Sequence, residues 1–166
     1  MTADLYVSDL HLPPPIDDLE IVASDVGLVA ILWKDDERWV FSEAVKQENA
    51  ATAAVKQQLK EYFAGERTEF DLPLDLRGTE FQTSVWRSLS IIPYGTTVTY
   101  SEQAQRLGRP SSVRAVASAN GSNPVSIVLP CHRVIGSNGK LTGYAGGLDA
   151  KRWLLTLEGA TDQTLF

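Results

Sequence analysis

Short apolar runs broken by turn residues fill the first quarter of the chain and predict strands. Val, Ile, Leu, Tyr, Phe and Trp cluster in β-rich segments that Pro, Asp and Gly separate, a pattern typical of short strands joined by turns. The predicted strands are 5–10, 19–25, 27–33 and 38–44. We therefore expect a small antiparallel sheet at the start of the chain.

One helix and a connector follow these strands. Apolar positions in segment 48–65 recur at the spacing of one helix face, which predicts a helix that ends at Gly65. The apolar positions are Ala54, Val55, Leu59 and Phe63. Segment 68–79 contains Pro73 and alternating polarity, so we interpret it as a connector. We place a domain boundary near residue 78, which gives an α/β N-terminal domain over 1–78 and a second domain over 79–166.

Helix signals dominate the second half. Thr79 and Gln82 have the spacing of a capping box, as do Thr99 and Glu102, and each box marks the start of a helix. The buried stripe predicted for the first helix is Phe81, Val85, Trp86 and Leu89. The second helix is predicted to turn Ala104 and Leu107 inward and to end at Gly108.

A third helix is predicted over 110–120, because Pro110 suits a first helical turn. Two short helices joined by a tight turn with glycine form a helix-turn-helix pattern. The later helix carries Ser, Val and Ala with one large charged side chain, Arg114. On this pattern alone, a DNA-reading helix and a packed helical hairpin are equally good interpretations.

The candidate chemistry lies after a strand-like run. The apolar run 125–129 predicts a strand, and Pro130, Cys131 and His132 follow it. Segment 136–148 is rich in glycine and predicts a loop, since glycine allows a positive φ and close approach of the backbone to a ligand. A last helix is predicted over 148–159, where Gly159 caps it.

Composition narrows the class of protein. The 166 residues are 43% apolar and 22% charged, as in soluble domains, and no apolar run approaches the length of about 18 residues that spans a membrane. One cysteine excludes an internal disulfide, and one Cys with two His argues against structural zinc. The first residues lack the basic flank and apolar centre of a signal peptide. We therefore expect a cytoplasmic protein without a metal ion or cofactor.

Charge is distributed unequally between the two halves. Residues 1–79 carry seven Lys and Arg against sixteen Asp and Glu, while residues 80–166 carry eight against five. Such asymmetry indicates an anionic partner for the second half. An excess of three positive charges is, however, also what an unevenly charged surface shows.

Cys131 is either a nucleophile or a small buried side chain. A free thiol has a pKa of about 8.5, so a reactive cysteine needs a partner that favours the thiolate. His132 is adjacent, and neighbours in a strand face opposite sides. Pro130 and the following loop indicate that the chain is leaving the strand here, which would let the two side chains converge, directly or through a water molecule. On chemistry alone the inert buried cysteine is the better interpretation. Glu158 ends the last predicted helix, where the helix dipole disfavours a carboxylate. It is either a tolerated surface residue or a carboxylate that orients an imidazole.

Several segments occur together in one order with tight spacing. They are IPYGTTVTY at 92–100, RAV at 114–116, NP at 123–124, PCHRV at 130–134 and GYAGGLDAKRWLLTLEG at 143–159. In these segments the chain resembles the O6-alkylguanine-DNA alkyltransferases, also called methylated-DNA–protein-cysteine methyltransferases. The resemblance is strong from about Thr79 to Glu158, and the first half fits only as the divergent α/β domain of that family.

The resemblance implies a mainly α, winged-helix-like C-terminal domain with a helix-turn-helix. It implies direct, irreversible, single-turnover repair of double-stranded DNA that contains O6-alkylguanine. A monomer would bind from the minor groove, flip the damaged base into a pocket and take the alkyl group onto its own cysteine. Neither a membrane nor a cofactor takes part, and cooperative binding along DNA stays open.

The resemblance also assigns catalytic roles. Cys131 is the expected acceptor, His132 takes its proton through a water molecule, and Glu158 orients the imidazole. Asn123 is expected to hold the hydrogen bonds of the local turn. Tyr100 is expected to stabilise the leaving guanine at N3 and to contact DNA.

Further residues are expected to contact DNA or the base. Arg114 would fill the gap that the flipped base leaves. Small residues on the reading helix would let its backbone approach a narrow groove, namely Ser111, Ser112, Ala115 and Ala117. The pocket for alkylguanine would include Val134, Tyr144 and Ala145, with the main chain at Cys131, Val134 and Ala145 reading the guanine edge.

Some positions depart from the family pattern, and other functions stay open. Ala145 stands where some members have Ser, and Val113 and Ala117 are bulkier than the residues common there. One alternative is a DNA-binding regulator or lesion-recognition module without transfer chemistry. Another is a Cys-His hydrolase, for which no separate oxyanion-hole motif is evident.

Overall fold

The structure is a computed structural model. It describes residues 4–139, 141 and 143–160. The chain divides into two compact units, one up to Arg77 and the other from Gly78, next to the boundary predicted near residue 78. Across the described residues, no helix has the length and apolar character needed to cross a membrane.

A four-stranded sheet forms the centre of the first unit. Its strands are β1 (Tyr6–Leu10), β2 (Leu19–Ala23), β3 (Leu28–Leu32) and β4 (Val45–Lys46), in the order β3-β2-β1-β4. β1, β2 and β3 pair antiparallel, and β4 pairs parallel with β1. The predicted fold class is confirmed, with the difference that the short fourth strand makes the sheet mixed.

The strand predicted over 38–44 is wrong. These residues form turns and irregular backbone, and β4 follows them. The Asp36 carboxylate accepts hydrogen bonds from the backbone N–H and the guanidinium of Arg38, at 3.1 and 3.0 Å, which favours a tight turn. Val40 is 81% exposed, while Phe41 and Ala44 pack partly buried against the core of the sheet, so burial here does not alternate as it would in a strand.

Helix α1 (Ala50–Phe63) packs against β1 and β2. Asn49 caps it in a box with Thr52, and Gly65 follows its end with φ 76°. The buried face differs from the predicted one, because Ala54 is exposed and Phe63 only half-buried. Its buried residues are Thr52, Val55, Leu59 and Tyr62. The Tyr62 ring lies 5.4 Å from the Phe70 ring, so burial of this aromatic side chain determines how the helix is rotated.

The second unit is mainly helical, as predicted. It contains α2 (Glu80–Ser88), α3 (Tyr100–Arg106), α4 (Val113–Gly121) and α5 (Leu148–Leu157), and β5 (Val98–Thr99) pairs parallel with β6 (Val134–Ile135). Both predicted capping boxes are confirmed. The described part of the predicted loop 136–148 is irregular up to α5, and Lys140 and Thr142 lie outside the described residues.

Helices α2, α3 and α4 share one apolar cluster, formed by Val85, Ala104, Val116 and Ala119. Trp86 adds a buried hydrogen bond from its indole N–H to the Ala119 carbonyl, at 2.7 Å. The prediction for Pro110 is wrong, since α4 begins only at Val113. The Ser112 N–H donates to the Arg109 carbonyl, and this turn places Pro110 before the helix.

The strand predicted over 125–129 is also wrong. The Leu129 N–H donates to the Val125 carbonyl at 3.0 Å, and Ile127 has a φ of 76°, so the segment is a compact turn. Its residues Val125, Ile127 and Leu129 are all buried. An apolar run of this length predicts burial, but it does not separate a buried strand from another buried conformation.

Candidate active site

The turn before Cys131 is closed by the Asn123 side chain. Asn123 Nδ2 donates to the Leu129 carbonyl at 2.8 Å, and Oδ1 accepts from the Val125 N–H at 3.1 Å. Asn123 is 1% exposed, so these bonds replace water at both ends of the turn. They hold the backbone that leads directly into Cys131.

Three consecutive side chains of the candidate site occupy one 3₁₀ turn, Cys131–Arg133. A 3₁₀ helix has three residues per turn, so consecutive side chains point in three directions. Cys131 therefore lines a cavity, while His132 and Arg133 both bond to Glu158. The backbone here is not extended, so Cys131 and His132 do not face opposite sides as neighbours in a strand would.

Glu158 lies at the C-cap of α5, and its carboxylate is completely buried. Oε2 lies 2.8 Å from His132 Nε2 and 3.0 Å from Arg133 Nη2, and Oε1 accepts from Arg133 Nε at 2.8 Å. Arg133 Nη1 also donates to the Ile92 carbonyl at 2.6 Å. The bidentate guanidinium pair compensates a carboxylate at the negative end of a helix. Of the two interpretations of Glu158, the surface residue is excluded.

His132 is held as a neutral imidazole with a free acceptor nitrogen. A carboxylate only accepts hydrogen bonds, so Nε2 carries the proton that bonds to Glu158. Nδ1 is buried and has no hydrogen-bond partner among the described residues. Burial lowers the pKa of His132, and the Glu158 hydrogen bond opposes that shift. A neutral imidazole with one lone pair available is what a general base requires.

Lys151 is a second buried cation at this site, in addition to Arg133, and it is not among the residues predicted from the sequence. Its ammonium donates to the Val134 carbonyl at 2.8 Å, and burial lowers its pKa to about 8, with Cys131 opposing the shift. A cation near a thiol favours the thiolate. Lys151 shares a helix face with the buried Leu154 and Leu155, and this spacing was a signal that could have revealed it.

A cavity of about 40 Å³ opens beside Cys131. Its lining combines the start of α3 and the second half of α4 with Cys131 and with residues shortly before α5. The lining residues are Tyr100, Ala117, Asn120, Gly121, Cys131, Gly143, Tyr144 and Ala145. Tyr144 also stands edge-on to the His132 ring, with centroids 6.5 Å apart. The predicted residues that meet here are Tyr100, Ala117, Cys131, Tyr144 and Ala145.

Other predicted site residues lie elsewhere in the second unit. Val134 is buried in β6 and does not line the cavity. Ser111, Arg114 and Ala115 are exposed at the start of α4, and Ser112 is half-buried there. The structure therefore brings Cys131 and the predicted residues around it together at one cavity. The predicted DNA-contacting residues at the start of α4 stay accessible to solvent.

Family models match both units of the chain. The 6-O-methylguanine DNA methyltransferase models match residues 12–76 as the ribonuclease-like domain and residues 80–160 as the DNA binding domain. The chain belongs to the 6-O-methylguanine DNA methyltransferase family. The family expected from the sequence resemblance is thus confirmed.

Relatives of this methyltransferase family cover most of the chain. The chain is 52% identical over 147 residues to a methylated-DNA–protein-cysteine methyltransferase of Mycolicibacterium paratuberculosis, covering 82% of this chain and 89% of the relative. It is 53% identical over 124 residues to one of Methanosarcina acetivorans, covering 75% and 76%. The crystal structure of Mycobacterium tuberculosis OGT in complex with DNA has a TM-score of 0.85 and 43% identity, covering 93% of each chain.

Removal of Arg133 should destabilise this methyltransferase-family chain strongly. Arg133→Met removes the bidentate partner of the buried Glu158 carboxylate, and breaking a buried pair in this way costs about 3–5 kcal/mol. Arg152→Met is the matched control, because Arg152 forms an exposed pair with Asp149 that contributes about 0–1 kcal/mol. Denaturant unfolding of both variants measures the difference. Equal losses would contradict a dominant buried pair.

His132 should make the stability of the protein depend on pH. Burial lowers the pKa of His132 below its usual value of about 6.5. As the pH falls, the unfolded chain therefore binds a proton at His132 before the folded chain does. The stability that the neutral His132 side chain contributes is complete above about pH 6.5. It is lost as the pH falls toward the lowered pKa of the folded state. The free energy of unfolding of wild type minus that of His132→Gln should therefore decrease from pH 7 to pH 5. A constant difference over this range would exclude a lowered pKa.

Proposed function

We propose that the protein repairs DNA by moving the alkyl group of O6-alkylguanine onto the Cys131 sulfur, once per molecule. The observation that carries this proposal is the joining of Cys131, His132 and Glu158 in one buried site. That site lies in a chain of the methyltransferase family, whose relatives are named methylated-DNA–protein-cysteine methyltransferases. A nucleophile, a base and an orienting carboxylate are the set that activates a thiol.

In the proposed reaction, His132 first takes the thiol proton. The free Nδ1 of the imidazole accepts it through a water molecule, while Nε2 keeps its bond to Glu158. Lys151 adds a buried positive charge that favours the thiolate. Arg133 holds the carboxylate from its other side, so the imidazole stays in the orientation that a base needs.

The thiolate then displaces guanine from the alkyl carbon. A carbon–sulfur bond forms as the bond between that carbon and O6 breaks, and the electron pair passes to the purine. The leaving guanine takes up a proton, which the Tyr100 hydroxyl donates and the imidazolium ultimately replaces. The thioether has no good leaving group, so the cysteine is not regenerated and each molecule reacts once. The thiolate supplies the chemistry without a cofactor.

We propose that α3 and α4 bind duplex DNA from the minor groove as a helix-turn-helix, with one protein molecule sufficient. Ser111, Arg114 and Ala115 are exposed at the start of α4, and small side chains there allow close approach without reading a sequence. A cavity of about 40 Å³ holds about one water molecule, so its walls must separate when a base enters. Flipping costs a few kcal/mol of stacking, which insertion of Arg114 would partly replace.

We propose a cytoplasmic location for this reaction. Cys131 is the single cysteine of the chain, and a thiol that must act as a nucleophile is best preserved in a reducing compartment.

Intact mass spectrometry tests the transfer directly. Incubation with duplex DNA that contains O6-methylguanine should add one methyl group, about 14 Da, to each protein molecule, as covalent catalysis at one nucleophile requires. Cys131→Ser should remove the mass gain and retain DNA binding. Binding without a mass gain in wild type would indicate a lesion-recognition module. Repeated product release without modified protein would indicate a hydrolase.

Arg114 should matter for the duplex substrate and much less for the free base. Arg114→Ala removes the side chain proposed to replace the flipped base, so transfer from O6-methylguanine in duplex DNA should slow about tenfold. Transfer from free O6-benzylguanine needs no flipping and should change little. Arg87→Ala, which removes an exposed charge from α2, is the control for a general loss of DNA affinity. Equal slowing on both substrates would exclude a flipping role.

A further inference from the structure

A buried pair of amides joins the two helices of the helix-turn-helix. Gln103 on α3 and Asn120 on α4 are 2% and 6% exposed. Gln103 Nε2 donates to Asn120 Oδ1 at 3.1 Å, and Asn120 Nδ2 donates to Gln103 Oε1 at 2.6 Å. Each amide therefore acts as donor and acceptor toward the other, which restrains both side chains.

Ser88 determines the orientation of the two amide groups, that is, which end of each carries the nitrogen and which the oxygen. The Ser88 hydroxyl donates to the Val85 carbonyl at 2.6 Å, so its oxygen is left to accept from Gln103 Nε2, at 3.4 Å. The Gln103 nitrogen must then face Ser88, and its oxygen must face the Asn120 nitrogen. A hydroxyl at the end of α2 thus fixes the orientation of an amide on α4 through Gln103.

Asn120 is also part of the cavity wall beside Cys131. It lies on α4 between Ala117 and Gly121, and Tyr144 and Ala145 contribute the other side of the same cavity. Within the described part of the chain, Gln103 is the hydrogen-bonding partner of the Asn120 side chain. One N–H and one lone pair of the Asn120 amide are therefore not used by Gln103.

The surroundings of the pair make a purely structural role a poor explanation. The same helices pack through Val85, Ala104, Val116 and Ala119. Apolar side chains of similar shape would fill the positions of Gln103 and Asn120 without leaving polar groups to satisfy. A polar pair next to this apolar cluster is explained if one of its residues, Asn120, serves the cavity that it lines.

We propose that Asn120 determines specificity by giving the alkylguanine pocket a polar wall, and that Gln103 is a positioning residue that acts through Asn120. This inference rests on the proposed function. A purine carries donors and acceptors on its edge, and an amide with one donor and one acceptor left complements them. Because Gln103 already holds the amide, little reordering is needed when the base enters.

Single-turnover kinetics with free O6-benzylguanine separate binding from chemistry. Asn120→Leu keeps the branched shape and removes the polar groups, so the half-saturation concentration should rise about tenfold, as loss of a paired polar group does. The limiting rate should change less than about twofold. Alkylation of Cys131 by iodoacetamide, which has no purine to recognise, should also stay within about twofold.

A double-mutant cycle tests whether Gln103 acts through Asn120. Gln103→Met should raise the half-saturation concentration less than Asn120→Leu does. The double variant, whose two apolar side chains match in shape, should resemble Asn120→Leu alone within about twofold, since coupled residues are not additive. If Gln103→Met alone fails to fold, the half-saturation concentrations of the double variant and of Asn120→Leu still show whether Gln103 has an effect when Asn120 is absent.

Several results would overturn the inference. They are an unchanged half-saturation concentration in Asn120→Leu, an equal change in the iodoacetamide reaction, and a full additional effect of Gln103→Met in the Asn120→Leu background. Wild-type protein that accepts no alkyl group from either O6-methylguanine DNA or O6-benzylguanine overturns the proposed function and this inference with it. Transfer by wild type with unaltered binding in Asn120→Leu overturns the inference alone.

Discussion

The Glu158 carboxylate is the buried charge on which the second unit depends for both stability and geometry. Arg133 binds it through two nitrogens, and His132 shares one of its oxygens. Burying these groups is costly unless every one of them is bonded. That requirement ties the end of α5 to the 3₁₀ turn that carries Cys131. The hydrogen bonds that offset the cost of desolvation also select the tautomer of His132. The same contacts therefore determine both the stability of this region and the proton-accepting nitrogen of the imidazole.

The second constraint is the backbone that presents the thiol. The Asn123 side chain closes a turn in which Ile127 has a positive φ, a conformation that costs free energy for a β-branched residue. The buried apolar side chains on either side and the Asn123 amide stabilise it. A strand at this position would direct Cys131 and His132 to opposite faces. The turn instead lets one side chain line the cavity while the next reaches Glu158.

Local signals in the sequence predicted local structure well. The boxes of Thr79 and Thr99 depend on residues three positions away, and both helices begin where the sequence indicates. The segment 125–129 shows the limit, since its burial was predictable but the φ of Ile127 was not. Gln103 and Asn120, 17 residues apart, and Arg133 and Ile92, 41 apart, meet only through the fold. For such pairs a single sequence carries no periodic signal, and the role of Glu158 came from resemblance.

The charges around Cys131 also explain why a carboxylate next to the base need not trap the proton. Arg133 neutralises much of the Glu158 charge. Burial lowers the pKa of His132, and the positive charge of Arg133 acts in the same direction. A bare carboxylate would stabilise the imidazolium and hold the proton there. In the proposed reaction the proton must move from His132 to the leaving guanine, and an imidazole that holds its proton weakly releases it more easily. Lys151, whose pKa is about 8, leaves a positive charge to act on the thiolate. In the proposed reaction, Lys151 favours the sulfur anion, and both Arg133 and Lys151 oppose a proton held permanently on His132.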